Sequence, residues 1–434
     1  MPDGRRPGYL PDSPCAGRQA QGSGQSNFVH MNDIFLVNLS GRDRPGLTAP
    51  VMDILAHHDV GVLDVGQSVI HDTLSLALLI DVAQQSEAGV MKDLVIHTSG
   101  LDLDLRLTPV SRDDYEAWIP HQRQGRYIVT LLGRRINTRQ LASIARIVSE
   151  QGLNIGDMTR LSERQPLAPD TTGPRSCVQL SVVGQPVDLA QMRSRFLQIS
   201  SELDIDVAFQ VDGIYRRHRR VVVLDMDSTL VQGEIIDELA IAAGVGEQVA
   251  AITKRAMHGE LDFSASFRQR VALLAGLPAS RLDEIAAQVP LTEGAQRLID
   301  TLKRLGYRVA ILSGGFTCFA HHLQKALGID EVFANELDIV DGKVSGQVVS
   351  DIVDAQRKAD LLCQIAEAEG VGLEQVVAVG DGANDLKMLS LAGLGIAFRA
   401  KPVIRREAGQ SLSTIGLDGI LYLMGIRDRE IMSE

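Results

Sequence analysis

The sequence predicts an α/β protein whose second half is a doubly wound parallel sheet with a helical insertion, preceded by two smaller α+β units. Three observations predict it. From about Tyr215 onward, short apolar runs alternate with stretches of helical spacing, the order expected of parallel strands joined by crossover helices. The runs Val221–Leu224, Val309–Leu312 and Val376–Val379 are apolar at consecutive positions, as strands buried on both faces are. Ahead of them, the order β-α-β-β-α-β occurs twice, in two stretches of similar length.

Residues 1–30 are rich in Gly, Pro, Ser, Gln and Arg, and no apolar segment follows Arg5-Arg6. A disordered tail is expected there rather than a signal peptide, and Met31 offers an alternative start. The first α+β unit, residues 31–111, begins with a strand at Ile34–Leu39 and a loop at Arg42–Gly46, which leads into a helix ending near His57. Strands at Val62–Ser68 and Thr73–Val82, a second helix and a strand at Leu101–Leu107 complete it. The second unit lies with its linker in residues 112–213. It has strands at Tyr127–Leu132, Asn154–Leu161, Cys177–Val183 and Asp206–Gln210, and a helix at Thr138–Gln151. Pro166, Pro169 and Pro174 mark a polar loop inside it. Both units have the ferredoxin-like arrangement, which by itself says nothing of function.

Residues 214–434 make the parallel-sheet domain. From Gly233 to about Pro290 the pattern is helical, with helical spacing at Glu247–Met257, Phe263–Leu274 and Ala279–Gln288. Placed directly after the first strand, this insertion (about 233–290) is expected to cover the strand ends as a cap. Asp341-Gly342, between two short β-like runs, is a hairpin-turn pair.

Composition narrows the class. The chain of 434 residues is 45% hydrophobic and 23% charged, an ordinary globular balance. Its net charge of −12 argues against general nucleic-acid binding, and the basic run Arg216–Arg220 reads as the solvated start of a strand. No run approaches the length of a membrane span. Cys15, Cys177, Cys318 and Cys363 form no Cys-x-x-Cys pair, which points to a reducing cytoplasm and away from a disulfide scaffold or zinc site.

The chemistry-bearing residues stand at strand ends, where open α/β sheets place their sites. Asp225-Met226-Asp227-Ser228-Thr229 follows Val221–Leu224; two carboxylates at i and i+2 there can serve one site, one attacking and one moving protons. Alone, the pattern also fits a strand end capped by a helix start. Ser313-Gly314-Gly315 follows the next strand, Lys358 opens a helix after an irregular segment, and Gly380-Asp381-Gly382-Ala383-Asn384-Asp385 ends a third strand. In order, strand context and residue type these resemble the haloacid dehalogenase superfamily of phosphatases.

That resemblance implies a phosphatase built to neutralise a dianionic ester before a carboxylate attacks it. Asp225 is then the nucleophile, forming an aspartyl-phosphate, and Asp227 the general acid and base. Asp225, Asp381, Asp385 and the backbone carbonyl of Asp227 are the expected Mg²⁺ ligands. Lys358 adds a positive charge, and Ser313, Gly314 and the turn amides donate to phosphoryl oxygens, with Asn384 also in the substrate set. In the cap, Glu234 suits an ammonium and Arg270 a carboxylate, while Met257 and Phe263 close the pocket. The spacing of these four from Asp225 resembles that of phosphoserine phosphatases, over roughly residues 215–425. The implied reaction is hydrolysis of O-phospho-L-serine, the last step of serine biosynthesis. The alternatives are a phosphotransferase using phosphoserine, a phosphatase for another small phosphoester, and a non-enzymatic amino-acid sensor. Against the last, every catalytic position is filled.

The two leading units resemble amino-acid-binding ACT domains, with the turn Asp43-Arg44-Pro45-Gly46-Leu47 as their local signature. The aligned stretch of the second unit, Arg135-Ile136-Asn137-Thr138, lacks that aspartate and glycine. The resemblance therefore implies a regulatory site at Asp43 and Gly46, L-serine as effector, and a homodimer paired through these domains.

Overall fold

The computed structural model describes residues 32–120, 125–164, 175–258, 260–349 and 351–431, excepting the side chain of Met257. The expected tail and most of the proline loop lie outside the described residues. The chain divides into two compact units, one ending at Arg123 and one spanning Gln124–Glu434.

The first unit is an antiparallel sheet of β1 (Asn32–Arg42), β2 (Gly61–Ile70), β3 (Thr73–Ala83) and β4 (Leu103–Val110), in the order β2-β3-β1-β4. Alternation decides which face is inside. Val37 and Leu39 of β1 and Leu76, Leu78 and Ile80 of β3 pack on Val51, Leu55, Val90 and Leu94 of the helices Thr48–His57 and Glu87–Gly100. The second unit opens with the same architecture: β5 (Arg126–Gly133), β6 (Asn154–Arg160), β7 (Ser176–Val183) and β8 (Asp206–Val211), in the order β6-β7-β5-β8.

The rest of the second unit is the parallel sheet. Its strands are β9 (Val221–Leu224), β10 (Arg308–Phe316), β11 (Glu331–Asn335), β14 (Val376–Gly380), β15 (Leu394–Phe398) and β16 (Gln410–Leu412), with β12 (Leu337–Val340) and β13 (Lys343–Val348) as a separate hairpin. The order is β11-β10-β9-β14-β15-β16, all parallel. The chain runs outward from β9 in both directions, so the crevice for a ligand opens at the carboxyl end of β9. The hairpin turns at Asp341 (φ 50°) and Gly342 (φ 73°), the paired positive φ that a two-residue turn requires.

Between β9 and β10 lie the cap helices Ile235–Ala242, Gly246–Met257, Phe263–Ala272 and Ala279–Ala286. The hairpin ties the cap to the sheet domain: Gly276 donates to the Val344 carbonyl, Val344 to Leu277, and Ala279 to Gly342.

The antiparallel sheet of the second unit is built into the parallel-sheet domain. Leu132, Cys177 and Ala208, on its helix-free face, belong to the same apolar cluster as the catalytic-domain core. Asp206 accepts from the amides of Ser413 and Thr414, and Gln410 exchanges two hydrogen bonds with the backbone of Phe209. Arg297 bridges Asp418 and Asp428, at 2.8 Å each. This junction corrects the reading of the basic run as solvated. Arg216 and Arg219 are only 4% and 6% exposed; Arg216 donates to Gln179 of β7, and Arg219 to the Glu374 carbonyl. Burial pushes both guanidinium groups down to about 10.

Candidate active site

Asp225 is the first residue beyond β9. Its amide donates to the Val379 carbonyl of β14, and its carboxylate takes the Met226 N–H at 2.8 Å. The chain turns at once. Ser228 adopts φ 55°, its N–H donates to Gly233, and the Val231 N–H donates to Met226. This tight turn swings Asp227 back, so that its Oδ1 accepts the N–H of Ile235 at 2.9 Å, at the start of the first cap helix. Both carboxylates thereby line one cavity of about 860 Å³.

Lys358 stands in the first turn of the helix Ala355–Ala368, whose start is fixed by Asp354 accepting the Arg357 N–H. Its side chain has no exposed surface. Its Nζ lies 2.8 Å from Asp225 Oδ1 and 2.7 Å from Asp385 Oδ1. Burial alone disfavours the ammonium, but the charges of Asp225 and Asp385 outweigh it and raise the group overall. Asp385 also takes the Gly382 N–H, which folds the loop after β14 around it.

Asp225, Asp381 and Asp385 offer oxygen atoms all within 4.8 Å of one another. Their crowding is visible in their chemistry. Burial and the charge of Asp385 hold Asp225 well above the usual carboxylate range, and burial and Asp385 push Asp381 up to about 7. Several carboxylates with one ammonium make an unbalanced set of hard oxygen donors, which fits a divalent cation. Burial and the nearby Glu234 push the Asp227 carboxyl up to about 7.

Gly314 lines the cavity, and Ser313 beneath it is fully buried, its Oγ accepting the Gly315 N–H at 2.9 Å. A Cβ at position 315 would meet Asp227 Oδ2 at 2.5 Å and Met226 Cε at 2.7 Å, so a larger residue there displaces the Asp227 carboxyl. Phe263 leans over the loop, and a Cβ on Gly314 would meet its ring at 3.0 Å. Glu234 and Arg270 both face the cavity. The enclosing walls raise the Glu234 carboxyl and lower the Arg270 guanidinium, whose Nε is buried without a hydrogen-bond partner among the described residues. Asn384 also lines the cavity. Met257 ends its cap helix, and its side chain lies outside the described residues.

Comparison with known proteins agrees with this geometry. Residues 219–393 match the haloacid dehalogenase-like hydrolases, and residues 33–108 match the ACT domain. A phosphoserine phosphatase of Streptomyces coelicolor is 42% identical over 91% of this chain and 93% of its own. The chain belongs to the phosphoserine phosphatase family. The phosphoserine phosphatase SerB2 of Mycobacterium tuberculosis is 41% identical over 91% of this chain and 94% of its own. Among solved structures, a probable phosphoserine phosphatase from Vibrio cholerae, in unliganded form, superposes with a TM-score of 0.56 at 36% identity, covering 70% of this chain and 87% of that one. The family and the leading ACT region expected from the motifs are both borne out; the ACT match falls on the first of the two ferredoxin-like units.

The phosphatase cavity also contains residues that the motifs did not point to. Arg399 and Lys401 line it just beyond β15. Arg399 lies over the Phe398 ring and pairs with Glu293, and Glu293 in turn holds Arg134 of the antiparallel sheet at 2.5 Å. The signal was present in principle, as two basic residues at a parallel strand's carboxyl end. Ser228 donates to Glu234 at 3.2 Å. Asn335, wholly buried, bonds to the Gly314 carbonyl.

Proposed function

We infer that the chain is a phosphoserine phosphatase that hydrolyses O-phospho-L-serine to L-serine and phosphate through an aspartyl-phosphate. The observation that carries the reading is the placing of Asp225 at the end of β9, against Lys358, Asp381 and Asp385, with Asp227 beside it. Asp225 attacks phosphorus as the bond to the serine oxygen breaks. Asp227 gives its proton to that oxygen. It then takes one from the water that attacks the aspartyl-phosphate, so that phosphate leaves and Asp225 is restored. A carboxyl pushed up near neutrality suits both roles.

Magnesium held by Asp225, Asp381, Asp385 and the Asp227 carbonyl would screen the nucleophile from the dianion. Lys358 contributes a second fixed positive charge. Ser313, Gly314 and the turn amides donate to phosphoryl oxygens, and Asn384 completes that wall. Glu234 takes the substrate ammonium and Arg270 its carboxylate, a role supported by the unpartnered buried Nε. Phe263, with Met257, excludes water.

The regulatory reading belongs to the same proposal. In the first unit a cavity of about 460 Å³ is lined by Asp43–Ala49, Gln67 and Leu74. The helix beginning there has no side-chain cap, and Gly46 (φ 89°) turns the backbone into it. The equivalent helix of the second unit is closed by a capping box of Asn137 and Gln140. The first unit therefore takes L-serine, and these domains pair in a cytoplasmic homodimer.

Phosphate release from a panel of small phosphoesters, with Mg²⁺ or EDTA, tests the reading. Phosphoserine should be the preferred substrate and EDTA should abolish turnover. Equal rates on esters lacking amine and carboxylate would overturn the substrate assignment.

A further inference from the structure

The phosphate-facing loop is a bulge in a parallel strand pair. β10 meets β11 at Leu312–Phe333 and next at Phe316–Asn335, so the stretch carrying Ser313, Gly314 and Gly315 is longer than its partner. A bulge takes its extra residues out of the ladder. Here a side chain restores the lost bonds. Asn335, the last residue of β11, has no exposed surface. Its Nδ2 donates to the Gly314 carbonyl at 2.8 Å, and its Oδ1 accepts the Val353 N–H at 2.8 Å. The peptide joining Gly314 to Gly315 is held from the other end by Ser313 Oγ, which accepts the Gly315 N–H. With that acceptor site used, the Ser313 proton remains for a ligand oxygen.

The second bond reaches the other side of the site. Val353 directly precedes Asp354, the cap of the helix that carries Lys358. One amide thus joins the loop that meets the phosphoryl oxygens to the segment that sets the catalytic lysine. A carboxylate there could still accept the Val353 N–H, but it has no proton to donate to the Gly314 carbonyl.

We propose that Asn335 is a positioning residue for phosphoryl transfer, holding the Ser313–Gly315 bulge and the start of the Lys358 helix in mutual register. The proposal rests on the phosphatase reading above. It requires that loosening Asn335 slow the chemical step more than it weakens capture of the amino-acid part of the substrate.

The test uses the full chain carrying Asn335→Asp, and Asn335→Ser in case a buried charge prevents folding. Melting temperature, kcat, KM for phosphoserine and inhibition by beryllofluoride are measured together. In the folded variants kcat should fall about 100-fold, the loss expected for a reacting group misplaced by about 1 Å. Beryllofluoride inhibition should weaken in parallel, while KM changes by less than about threefold, since Glu234 and Arg270 are untouched. A folded variant that melts lower yet keeps normal kcat and normal beryllofluoride inhibition would overturn the proposal, leaving Asn335 as a structural hydrogen bond. In the unaltered chain, the Asn335 side-chain amide resonance should shift when beryllofluoride and Mg²⁺ are added; an unchanged resonance would also count against it. If the unaltered chain bound beryllofluoride but did not hydrolyse phosphoserine, the substrate reading would fail while the role of Asn335 stood.

Discussion

The two ferredoxin-like sheets share one strand order and differ in what the faces turned away from their two packing helices do. In the first, Leu36, Ala77 and Leu79 point to a cavity of about 480 Å³ beside Tyr115 and Trp118, and β2 is exposed along almost its whole length. In the second, the corresponding face is buried, with Leu132, Cys177 and Ala208 inside the catalytic-domain core. The lesson is that a repeated fold can be a self-contained module in one copy and part of another domain's core in the next. The helix-side cores are equally apolar; only the outer faces distinguish them.

The largest effect should come from removing each sheet in turn. A chain beginning at residue 124 loses only the self-contained unit, and should retain phosphatase turnover within about threefold while losing any response to serine. A chain beginning at residue 214 uncovers a face of the catalytic core, takes Gln179 away from the buried Arg216, and takes the Glu163 amide away from Asp428. It should aggregate or melt more than about 10 °C lower, since each kcal/mol lost moves a domain of this size by about 2–4 °C. Equal stability of the two truncated chains would break the comparison.

Point substitutions sharpen it. Arg297→Leu leaves the buried carboxylates of Asp418 and Asp428 short of a partner, and should destabilise the larger unit by roughly 3 kcal/mol. The Tyr422 hydroxyl and the Glu163 amide still bond Asp428 and moderate the loss. Leu78→Ala empties a fully buried position of the first unit and should cost about 2–5 kcal/mol there. Calorimetry of the full chain should show one transition moved by each substitution, with turnover unaffected by Leu78→Ala. A single transition moved by both would mean that the first sheet is not independent.

Much of this was legible in the sequence. Consecutive apolar runs marked the central strands because both of their faces are buried, and the twice-repeated β-α-β-β-α-β order marked the antiparallel units. Asp225, Asp227, Lys358, Asp381 and Asp385 could be picked out because each follows a strand or opens a helix. The fusion of the second sheet was not legible. It depends on pairs such as Glu163 with Asp428 and Asp206 with Thr414, which leave no local period. The buried arginines were misread for a similar reason: a run of like charges gives no sign that Gln179 of a neighbouring sheet will take Arg216 or that the Glu374 carbonyl will take Arg219. Asn335 was missed because a lone asparagine at a strand end has no pattern until the bulge opposite is known.

A smaller difference concerns the effect of pH on the two units. In the first, His58 beside Asp93 and His71 beside Asp72 hold those two carboxyls below their ordinary value. A depressed carboxyl stabilises the fold above its unfolded value, and that support is lost as pH falls through the folded value. The first unit should therefore only lose stability as pH falls below about 4. The larger unit carries shifts of both signs. Hydrogen bonds from Arg134 lower Glu293, and Asp428 is lowered as well, because Arg297, the Glu163 amide and Tyr422 outweigh its burial. Asp225, Asp227, Asp381, Glu234 and Asp206 are raised, chiefly by burial. A raised carboxyl contributes stability that is full below its unfolded value and lost as pH rises through the folded one. Without metal, the larger unit should gain a few degrees in melting temperature as pH falls from about 7 to about 4.5, then lose them below that. Saturating Mg²⁺ favours the charged forms of Asp225 and Asp381, so the gain should shrink to what Asp227, Glu234 and Asp206 supply. Melting curves of the full chain from pH 7.5 to 3.5, with Mg²⁺ or with EDTA, would resolve the two units. A profile that falls steadily for both, with no response to metal, would show that the crowding of carboxylates around Asp225 does not set the stability of the larger unit.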